Sequence, residues 1–333
     1  MNAKTKRDPE PAVIVNDLKK HYSVRTGFLD KIFFGNQKFV KAVDGLSLDI
    51  VKRKTFGLVG ESGCGKSTLG RCILRLEPVT QGDITIFGQD VGSLEEKELR
   101  SFRKKVQMIF QNPYSTLPPH KTIGKMLKEV VDYHEVADKH KAKEYSIFLL
   151  EQVGLDGKFF DSRPKALSGG QRQRAAIARA LSTDPKLVVL DEPVTALDIS
   201  IQAQILNLLL RLQEEKGLTY LFITHDLSVV RHVSDVIGVM YLGKMVELMP
   251  AKALGKESLH PYTKSLISSS PILSSFYKSN SIELTGELPS AIDSPPGCKF
   301  HTRCPYSFER CQKEEPQPIA VDQGHSVACF LCE

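Results

Sequence analysis

The segment from residue 60 to residue 68 has the residue types and the spacing of a phosphate-binding loop. It reads GESGCGKST and follows a short apolar run, residues 56–59, of the kind that forms a buried parallel strand. Its glycines let the backbone curl tightly, so consecutive N–H groups can point at phosphate oxygens. We predict that Lys66 reaches the β- and γ-phosphates of ATP, that Ser67 ligates Mg²⁺, and that a helix beginning near Lys66 adds its positive end. The predicted loop residues are Gly60, Glu61, Ser62, Gly63, Cys64, Gly65, Lys66, Ser67 and Thr68.

A second apolar run, residues 187–190, ends in two acidic residues, Asp191 and Glu192. A buried strand with this ending presents both carboxylates at the carboxyl edge of a sheet, where nucleotides bind. Asp191 suits the Mg²⁺ shell, and Glu192 suits the base or the positioning group for the attacking water. Acidic residues at strand ends are common, so the pair alone is weak evidence for a nucleotide site. Together with a phosphate loop in the same chain it is strong evidence.

Together these motifs resemble the nucleotide-binding domains of the ATP-binding cassette (ABC) superfamily, and four further residues extend the resemblance. Gln111 lies in IFQNP, Asp198 in ALD, His225 in THD and Tyr22 in KHY. The resemblance implies that Gln111 is a switch glutamine and a Mg²⁺ ligand, that Asp198 belongs to the D-loop, and that His225 contacts the γ-phosphate. It also implies that Tyr22 stacks on adenine. Each residue alone would be ordinary, so their order and spacing carry the assignment.

The segment LSGGQ, residues 167–171, is a rarer motif about 100 residues after the phosphate loop. Ser168 is a good N-cap for a helix over residues 172–181, and the two glycines leave N–H groups bare at the helix start. The family resemblance implies that this segment closes over the γ-phosphate held by a partner cassette, in a head-to-tail dimer with two ATP molecules. The predicted residues are Ser168, Gly169, Gly170 and Gln171.

Composition and charge set further limits. The chain has 333 residues, enough for one main domain with appendages, and its net charge of +6 is too small to indicate nucleic-acid binding. Residues 1–11 lack the apolar stretch of a signal peptide, and no run of 18 apolar residues predicts a membrane span. If the protein serves transport, other chains must carry the membrane path. We therefore expect it at the cytoplasmic face of the inner membrane.

The order of apolar segments predicts an α/β fold, with a mainly parallel sheet covered by helices. The resemblance implies a P-loop ABC nucleotide-binding domain with a helical subdomain and a C-terminal cysteine-rich extension. Periodic segments at 125–136 and 141–153 predict two helices of the subdomain. The predicted division is an N-terminal tail at 1–11, an ABC ATPase domain at 12–250, with its helical subdomain at about 112–180, and an extension at 251–333.

Three segments of the extension, HPYT at 260–263, GELPS at 286–290 and GCKFHTRCP at 297–305, resemble the ATP-binding subunits of oligopeptide and dipeptide importers. The resemblance implies two polytopic permease subunits, a second related ABC ATPase and, indirectly, an extracytoplasmic solute-binding protein as partners. Residues 115–120, STLPPH, depart from that subfamily's usual asparagine-proline-arginine ending, which leaves the exact membrane partner open.

Other functions of the same superfamily remain as alternatives at this stage. Related importers carry nickel chelates, oligosaccharides or other small solutes. Soluble ABC proteins of DNA repair or translation usually have two cassettes or long insertions, and this chain has neither. Exporters often fuse the cassette to membrane helices. Import of short peptides is therefore the leading hypothesis.

Five of the seven cysteines lie between residue 298 and the end of the sequence, separated by five, six, seventeen and two residues. Stable disulfides are not expected in a cytosolic protein, and clustered thiols there indicate metal. A zinc ribbon needs two tight pairs, whereas wide spacing and a Cys-Pro step suit an iron–sulfur cluster, to which the subfamily resemblance also points. We predict a structural [4Fe–4S] cluster; zinc and free thiols remain alternatives. The predicted ligands are Cys298, Cys304, Cys311 and Cys329, with Cys332 as the alternative fourth.

Overall fold

The structure, a computed structural model, describes residues 10–24, 38–138, 140–276 and 286–333. Most of the predicted N-terminal tail lies outside the described residues. The described residues fold into two compact units. Unit 1 contains those within Met1–Ala12, Val51–Thr55 and Ser93–Ile223, and unit 2 those within Val13–Ile50, Phe56–Gly92 and Thr224–Glu333.

The strands are numbered in chain order. They are β1 Pro11–Ser23, β2 Phe39–Val51, β3 Thr55–Val59, β4 Gln81–Ile86, β5 Gln89–Asp90, β6 Val106–Ile109, β7 Leu187–Asp191, β8 Thr219–Thr224, β9 Val236–Tyr241, β10 Lys244–Pro250, β11 Ile319–Asp322 and β12 His325–Val327. The runs predicted at 56–59 and 187–190 are thus confirmed as strands, each one residue longer than its apolar core.

The α-helices are numbered in the same way. They are α1 Lys66–Ile73, α2 Glu96–Lys105, α3 Pro113–Thr116, α4 Ile123–Tyr133, α5 Ala142–Gln152, α6 Gly169–Leu181, α7 Ile199–Lys216, α8 Leu227–Val233, α9 Pro261–Ser269, α10 Pro271–Phe276 and α11 Glu309–Lys313. Helices α4 and α5 confirm the two predicted helices of the subdomain. Within the described ranges, no helix combines the length and the apolar character needed to cross a membrane.

Unit 1 contains the three parallel strands β8, β7 and β6, side by side in that order. Strand β7 is buried along its whole length, as its unbroken apolar sequence predicts for a parallel strand covered on both faces. Helix α4 begins after Thr122, whose hydroxyl accepts a hydrogen bond from the Lys125 N–H at 3.2 Å, and packs against α5. Unit 1 therefore has the parallel α/β arrangement that the sequence predicts.

Unit 2 contains two groups of strands. One has the order β2-β1-β4-β5, with antiparallel β1–β4 and β4–β5 pairs. The other runs β11-β12-β10-β9-β3, and only its β3–β9 pair is parallel. The prediction of a mainly parallel sheet is therefore wrong for unit 2. One physical reason is three tight hairpins, β4–β5, β9–β10 and β11–β12, because strands joined by two residues pair antiparallel.

The last part of the chain belongs to the core of unit 2. Tyr262 and Phe300 are fully buried beside Val59 and Tyr241, and strand β12 pairs with β10. Buried Glu247 of β10 accepts hydrogen bonds from the N–H groups of residues 259 and 260 and from His325 of β12. The C-terminal extension is thus joined to β9 and β10 by apolar packing, strand pairing and a buried polar network.

Candidate functional site

The phosphate loop lies between β3 and α1 in unit 2, as the sequence predicts. Gly65 has φ +108, and a Cβ there would lie 1.9 Å from the Ala42 carbonyl oxygen. Gly60 has φ +155, with the Met240 carbonyl oxygen 2.2 Å from the same added atom. No side chain fits at either position, so the glycines allow a backbone path that another residue would block.

Lys66 is the first residue of α1, and its side chain turns back into the loop. Its ammonium donates to the carbonyl oxygens of Gly60 at 2.7 Å and Glu61 at 2.9 Å, and the residue is only 4% exposed. Cys64 is buried beside it, with its Sγ 3.7 Å from Lys66 Nζ, and burial raises the pKa of the Cys64 thiol. A neutral thiol leaves the positive charge of Lys66 available to an anion in the loop.

Glu61 of the loop is bound by two residues of the C-terminal region. The Arg303 guanidinium donates to both carboxylate oxygens, at 2.6 Å and 3.0 Å. The Tyr262 hydroxyl accepts a hydrogen bond from the Glu61 N–H at 2.9 Å. The extension thus contacts the phosphate loop directly, which the sequence did not predict.

Arg303 lies against a cluster of buried aromatic rings. The Tyr241 ring centroid is 4.7 Å from that of Tyr262 and 5.2 Å from that of Phe300. The Arg303 guanidinium lies 5.9 Å from the Tyr241 ring, and hydrogen bonding to Glu61 raises the pKa of Arg303. The rings fix the direction of this side chain, since a packed aromatic surface leaves the guanidinium few positions.

Tyr22 and His225 are the other predicted site residues of unit 2. The Tyr22 side chain lies near that of Thr68, the last residue of the predicted loop, and burial raises the pKa of this tyrosine. Lys20 Nζ lies 4.6 Å from the centroid of the Tyr22 ring. His225 is exposed after β8, next to Asp226, which caps α8. The structure therefore brings Tyr22 to the end of the loop.

Gln111, Asp191 and Glu192 lie in unit 1. Asp191 ends β7 and is 4% exposed. Glu192 has a left-handed backbone, φ +47, and its N–H donates to the Ile223 carbonyl at 2.9 Å. Its carboxylate accepts a hydrogen bond from the Gln111 side-chain amide at 2.9 Å. The structure thus brings Gln111 and Glu192 together, and the strained backbone directs the glutamate away from the strand.

Residues 168–171 form a capping box at the start of α6. The Ser168 hydroxyl accepts from the Gln171 N–H at 3.3 Å, and the Gln171 side-chain oxygen accepts from the Ser168 N–H at 2.9 Å. The predicted N-cap is confirmed, although α6 begins three residues earlier than predicted. A Cβ on Gly170 would lie 2.7 Å from the Ile201 side chain, which explains a small residue there.

A cavity of about 260 Å³ in unit 1 joins several of these motifs. It is lined from three directions by Gln111, by Gly169 and by Leu197. Asp198, the predicted D-loop residue, is exposed and is the N-cap position of α7. The switch glutamine, the start of α6 and the segment before α7 therefore share one surface of unit 1.

Four of the predicted cluster cysteines lie around one small cavity of unit 2. Cys298, Cys304, Cys311 and Cys329 line it, whereas Cys332 does not. The Cys298 N–H donates to the Cys311 carbonyl at 2.9 Å, and burial raises the pKa of Cys298 to about 11 and of Cys329 to about 12. In the part of the chain that the structure describes, no group of three or more His, Cys, Asp or Glu side chains is placed to hold a metal ion.

Two contacts of the site were missed from the sequence, those of Arg303 and Tyr262 with Glu61. Both residues lie in segments that resemble the importer subunits, HPYT and GCKFHTRCP, yet their partner is more than 200 positions away. No local pattern connects such positions. The only sequence signal was an unexplained acidic residue beside a site for a polyanion.

Strand, loop and helix at residues 55–73 and a parallel strand that ends in Asp-Glu define a P-loop nucleotide-binding domain. Two family matches narrow this class. Residues 43–195 match "ABC transporter", and residues 246–311 match "Oligopeptide/dipeptide transporter, C-terminal region". The chain belongs to the ABC transporter family, as an ATP-binding protein that carries this C-terminal region.

Relatives match along nearly the whole chain. The putative oligopeptide transport ATP-binding protein YkfD of Bacillus subtilis is 49% identical over 324 residues, which is 96% of this chain and 95% of YkfD. The dipeptide transport ATP-binding protein DppF of Escherichia coli is 44% identical, over 97% and 95% of the two chains. A solved dimer of the ATP-binding cassette MJ0796 with ADP and Pi is 28% identical, with a TM-score of 0.62, over 72% and 98%.

Proposed function

We propose that this protein is the ATP-hydrolysing subunit that energises import of short peptides through partner membrane subunits. The observation that carries the proposal is the built phosphate loop in a chain whose C-terminal part matches the oligopeptide/dipeptide transporter region. Relatives named as peptide or dipeptide transport ATP-binding proteins cover at least 95% of this chain. The proposed division is the predicted one, with an ATPase domain at 12–250 and an extension at 251–333.

The roles at the phosphates follow from chemistry and from the family resemblance. Lys66 and the loop N–H groups bind the β- and γ-phosphates, and Tyr22 stacks on adenine. Mg²⁺ supplies charge neutralisation on the phosphate oxygens when bound. Its proposed ligands are Ser67, Asp191 and Gln111, whose hydroxyl, carboxylate and amide oxygens are the hard donors that Mg²⁺ prefers.

Glu192 is the proposed catalytic base. Its carboxylate accepts from the neutral amide of Gln111, so the amide orients it without adding a proton or a charge. A carboxylate held in this way can accept the proton of the attacking water. His225 is proposed to contact the γ-phosphate, as the family resemblance implies.

The active unit is proposed to contain two cassettes. The capping box leaves the first N–H groups of α6 at the surface of unit 1, where an anion can bind. Ile199, next to the D-loop residue Asp198, is 85% exposed, so its side chain is accessible to a second chain. The second cassette is proposed to be a related but different ATPase, and the pair acts on two permease subunits at the cytoplasmic face of the inner membrane.

The test of the catalytic assignment uses the assembled transporter. Lys66→Ala should remove ATP binding and most activity, because the loop loses its cation. Glu192→Gln should retain ATP binding but stop turnover and trap the closed dimer. Glu192→Gln with normal ATP hydrolysis would falsify the assignment of the base.

The test of the transport assignment is purification from membranes. A tagged chain should recover two polytopic membrane proteins and a second cassette, and deletion of its gene should abolish uptake of short peptides. Recovery as a soluble monomer, with peptide uptake unchanged in the deletion strain, contradicts the proposal. Loss of uptake of another solute instead would reassign the substrate.

We also propose that Cys298, Cys304, Cys311 and Cys329 hold a [4Fe–4S] cluster with a structural role. Their shared cavity supports this set over one that includes Cys332. Their side chains must turn toward the cavity and lose their protons, because the ligand is the thiolate. Protein purified without oxygen should be brown and contain iron and acid-labile sulfide. Zinc would reassign the site, and free alkylation of all five thiols in the folded protein would leave no metal site.

A further inference from the structure

We propose that Arg303 is a positioning residue for ATP, which fixes Glu61 of the phosphate loop and neutralises its charge. This inference rests on the proposed function, because it concerns the affinity of the same loop for the triphosphate. Arg303 comes from the C-terminal region and does not itself belong to any ATP motif. Its effect on ATP passes through Glu61.

Three groups hold Glu61, one at each of its polar parts. The Tyr262 hydroxyl accepts from its N–H, the Lys66 ammonium donates to its carbonyl oxygen, and Arg303 binds its carboxylate with two hydrogen bonds. The residue next to Gly60 therefore has a fixed peptide plane on either side and a fixed side chain. A fixed backbone is what a loop needs when its N–H groups must already point at phosphate.

The charge of Glu61 explains why the partner is an arginine. A loop that binds a polyanion gains nothing from a carboxylate of its own, unless a cation compensates it. The Arg303 side chain is 6% exposed and that of Glu61 is 25% exposed, so water screens the pair weakly. Without the guanidinium, the carboxylate would repel the triphosphate and would be free to take a donor from the loop.

The position of Arg303 connects the loop to the cysteine segment. It lies between Cys298 and Cys304 in sequence, and its guanidinium lies against the Tyr241 ring. Any change that displaces this segment moves the guanidinium away from Glu61. The Arg303–Glu61 ion pair therefore connects the cysteine segment to ATP affinity.

The experiment compares four forms of the full chain in the assembled transporter: wild type, Arg303→Gln, the double variant Glu61→Gln/Arg303→Gln, and Arg310→Gln. Arg310 is the matched control, since it is an arginine of the same segment that pairs with Glu314 at 2.8 Å on the surface. ATP affinity, KM for ATP, kcat and melting temperature are measured for each.

Arg303→Gln should raise KM for ATP about tenfold, the effect of one uncompensated charge near the phosphates, while kcat changes less than about twofold. The double variant should recover at least half of the lost affinity, because it removes the unpaired charge. Arg310→Gln should leave KM unchanged. If Arg303→Gln fails to fold, the proposal is tested with the double variant alone. An ATP affinity of the double variant within about threefold of wild type supports the proposal, and a lower affinity contradicts it.

Two results overturn the proposal. One is an unchanged KM for ATP in Arg303→Gln. The other is an equal loss of ATP affinity in the single and double variants, which would mean that Arg303 only stabilises the C-terminal extension. Failure of the proposed function looks different. In that case the wild-type transporter would hydrolyse no ATP, or Lys66→Ala would leave its activity unchanged.

Discussion

Two glutamates, Glu61 in the phosphate loop of unit 2 and Glu192 after β7 of unit 1, are held in opposite ways. Glu61 is bound by a nearly buried guanidinium through two charge-assisted hydrogen bonds. Glu192 is bound through its side chain by the neutral amide of Gln111, which is exposed. Both acceptors are carboxylates, but only Glu61 receives two parallel hydrogen bonds from an ionised donor, the stronger arrangement.

The two contacts suit different tasks. The phosphate loop around Glu61 keeps one arrangement, whereas Glu192 must exchange its hydrogen-bond partner. A phosphate loop works best when its backbone does not reorganise on binding, and a strong ion pair provides that. A catalytic base must accept a new partner during turnover, and a hydrogen bond from a neutral amide is given up more easily than a two-bond ion pair. The left-handed backbone of Glu192 adds strain that only its surroundings maintain.

The largest expected effect on ATP affinity comes from Gly65→Ala, which disrupts the backbone of the phosphate loop. The added methyl group would collide with the Ala42 carbonyl at 1.9 Å, so ATP affinity should fall about a hundredfold. Gly88→Ala is the control, because Gly88 also has a positive φ, +78, but has nothing within 4 Å of the added atom. Equilibrium binding of ATP by both variants is the measurement, and equal affinities would contradict a rigid loop.

A smaller effect, on kcat, is expected from Gln111→Ala, which removes the hydrogen bond between Gln111 and Glu192. Loss of the amide removes one hydrogen-bond donor that orients the Glu192 carboxylate, so kcat should fall about tenfold, by more than KM for ATP rises. Gln107→Ala is the control, since the Gln107 amide donates to a backbone carbonyl of α2 instead. Steady-state ATP hydrolysis distinguishes them. A rise in KM without a change in kcat would place Gln111 in binding rather than in catalysis.

The smallest effect, on KM for ATP, is expected from a change to the backbone hydrogen bond of Glu61. Tyr262→Phe removes the neutral acceptor of the Glu61 N–H but keeps the ring, so KM for ATP should rise only about threefold. Tyr220→Phe also removes a buried hydroxyl, one that donates to the Leu209 carbonyl in unit 1. Both variants should lose similar thermal stability, but only Tyr262→Phe should change KM. An equal KM in both would show that the tyrosine acts on stability alone.

Local chemistry made much of this molecule predictable from sequence. The phosphate loop, the capping box at Ser168 and the apolar strands before Gly60 and Asp191 each depend on residues within about ten positions of one another. Their predicted positions agree with the structure to within one to three residues. Patterns of this length express geometry directly, because a loop, a cap or a strand is made by its own residues.

The remainder depended on distant pairs and on hairpin turns. Arg303 and Glu61 are 242 positions apart, and nothing in either segment specifies the other. The hairpin turns did leave a signal, since β9–β10 and β11–β12 are each joined by two residues ending in glycine, Gly243 and Gly324. That signal indicates the antiparallel pairing within these hairpins, whereas the antiparallel pairs β1–β4 and β10–β12 join strands that are far apart in the chain.

The distance between Arg303 and Glu61 along the chain also sets an order of events during synthesis. Domains fold from the N-terminus as the ribosome releases them, so the GESGCGKST segment emerges long before its arginine. Until residue 303 has left the ribosome, the Glu61 carboxylate lacks the guanidinium that binds it in the folded chain. A chain released before this codon therefore carries every ATP motif of the sequence but lacks the ion pair that holds Glu61.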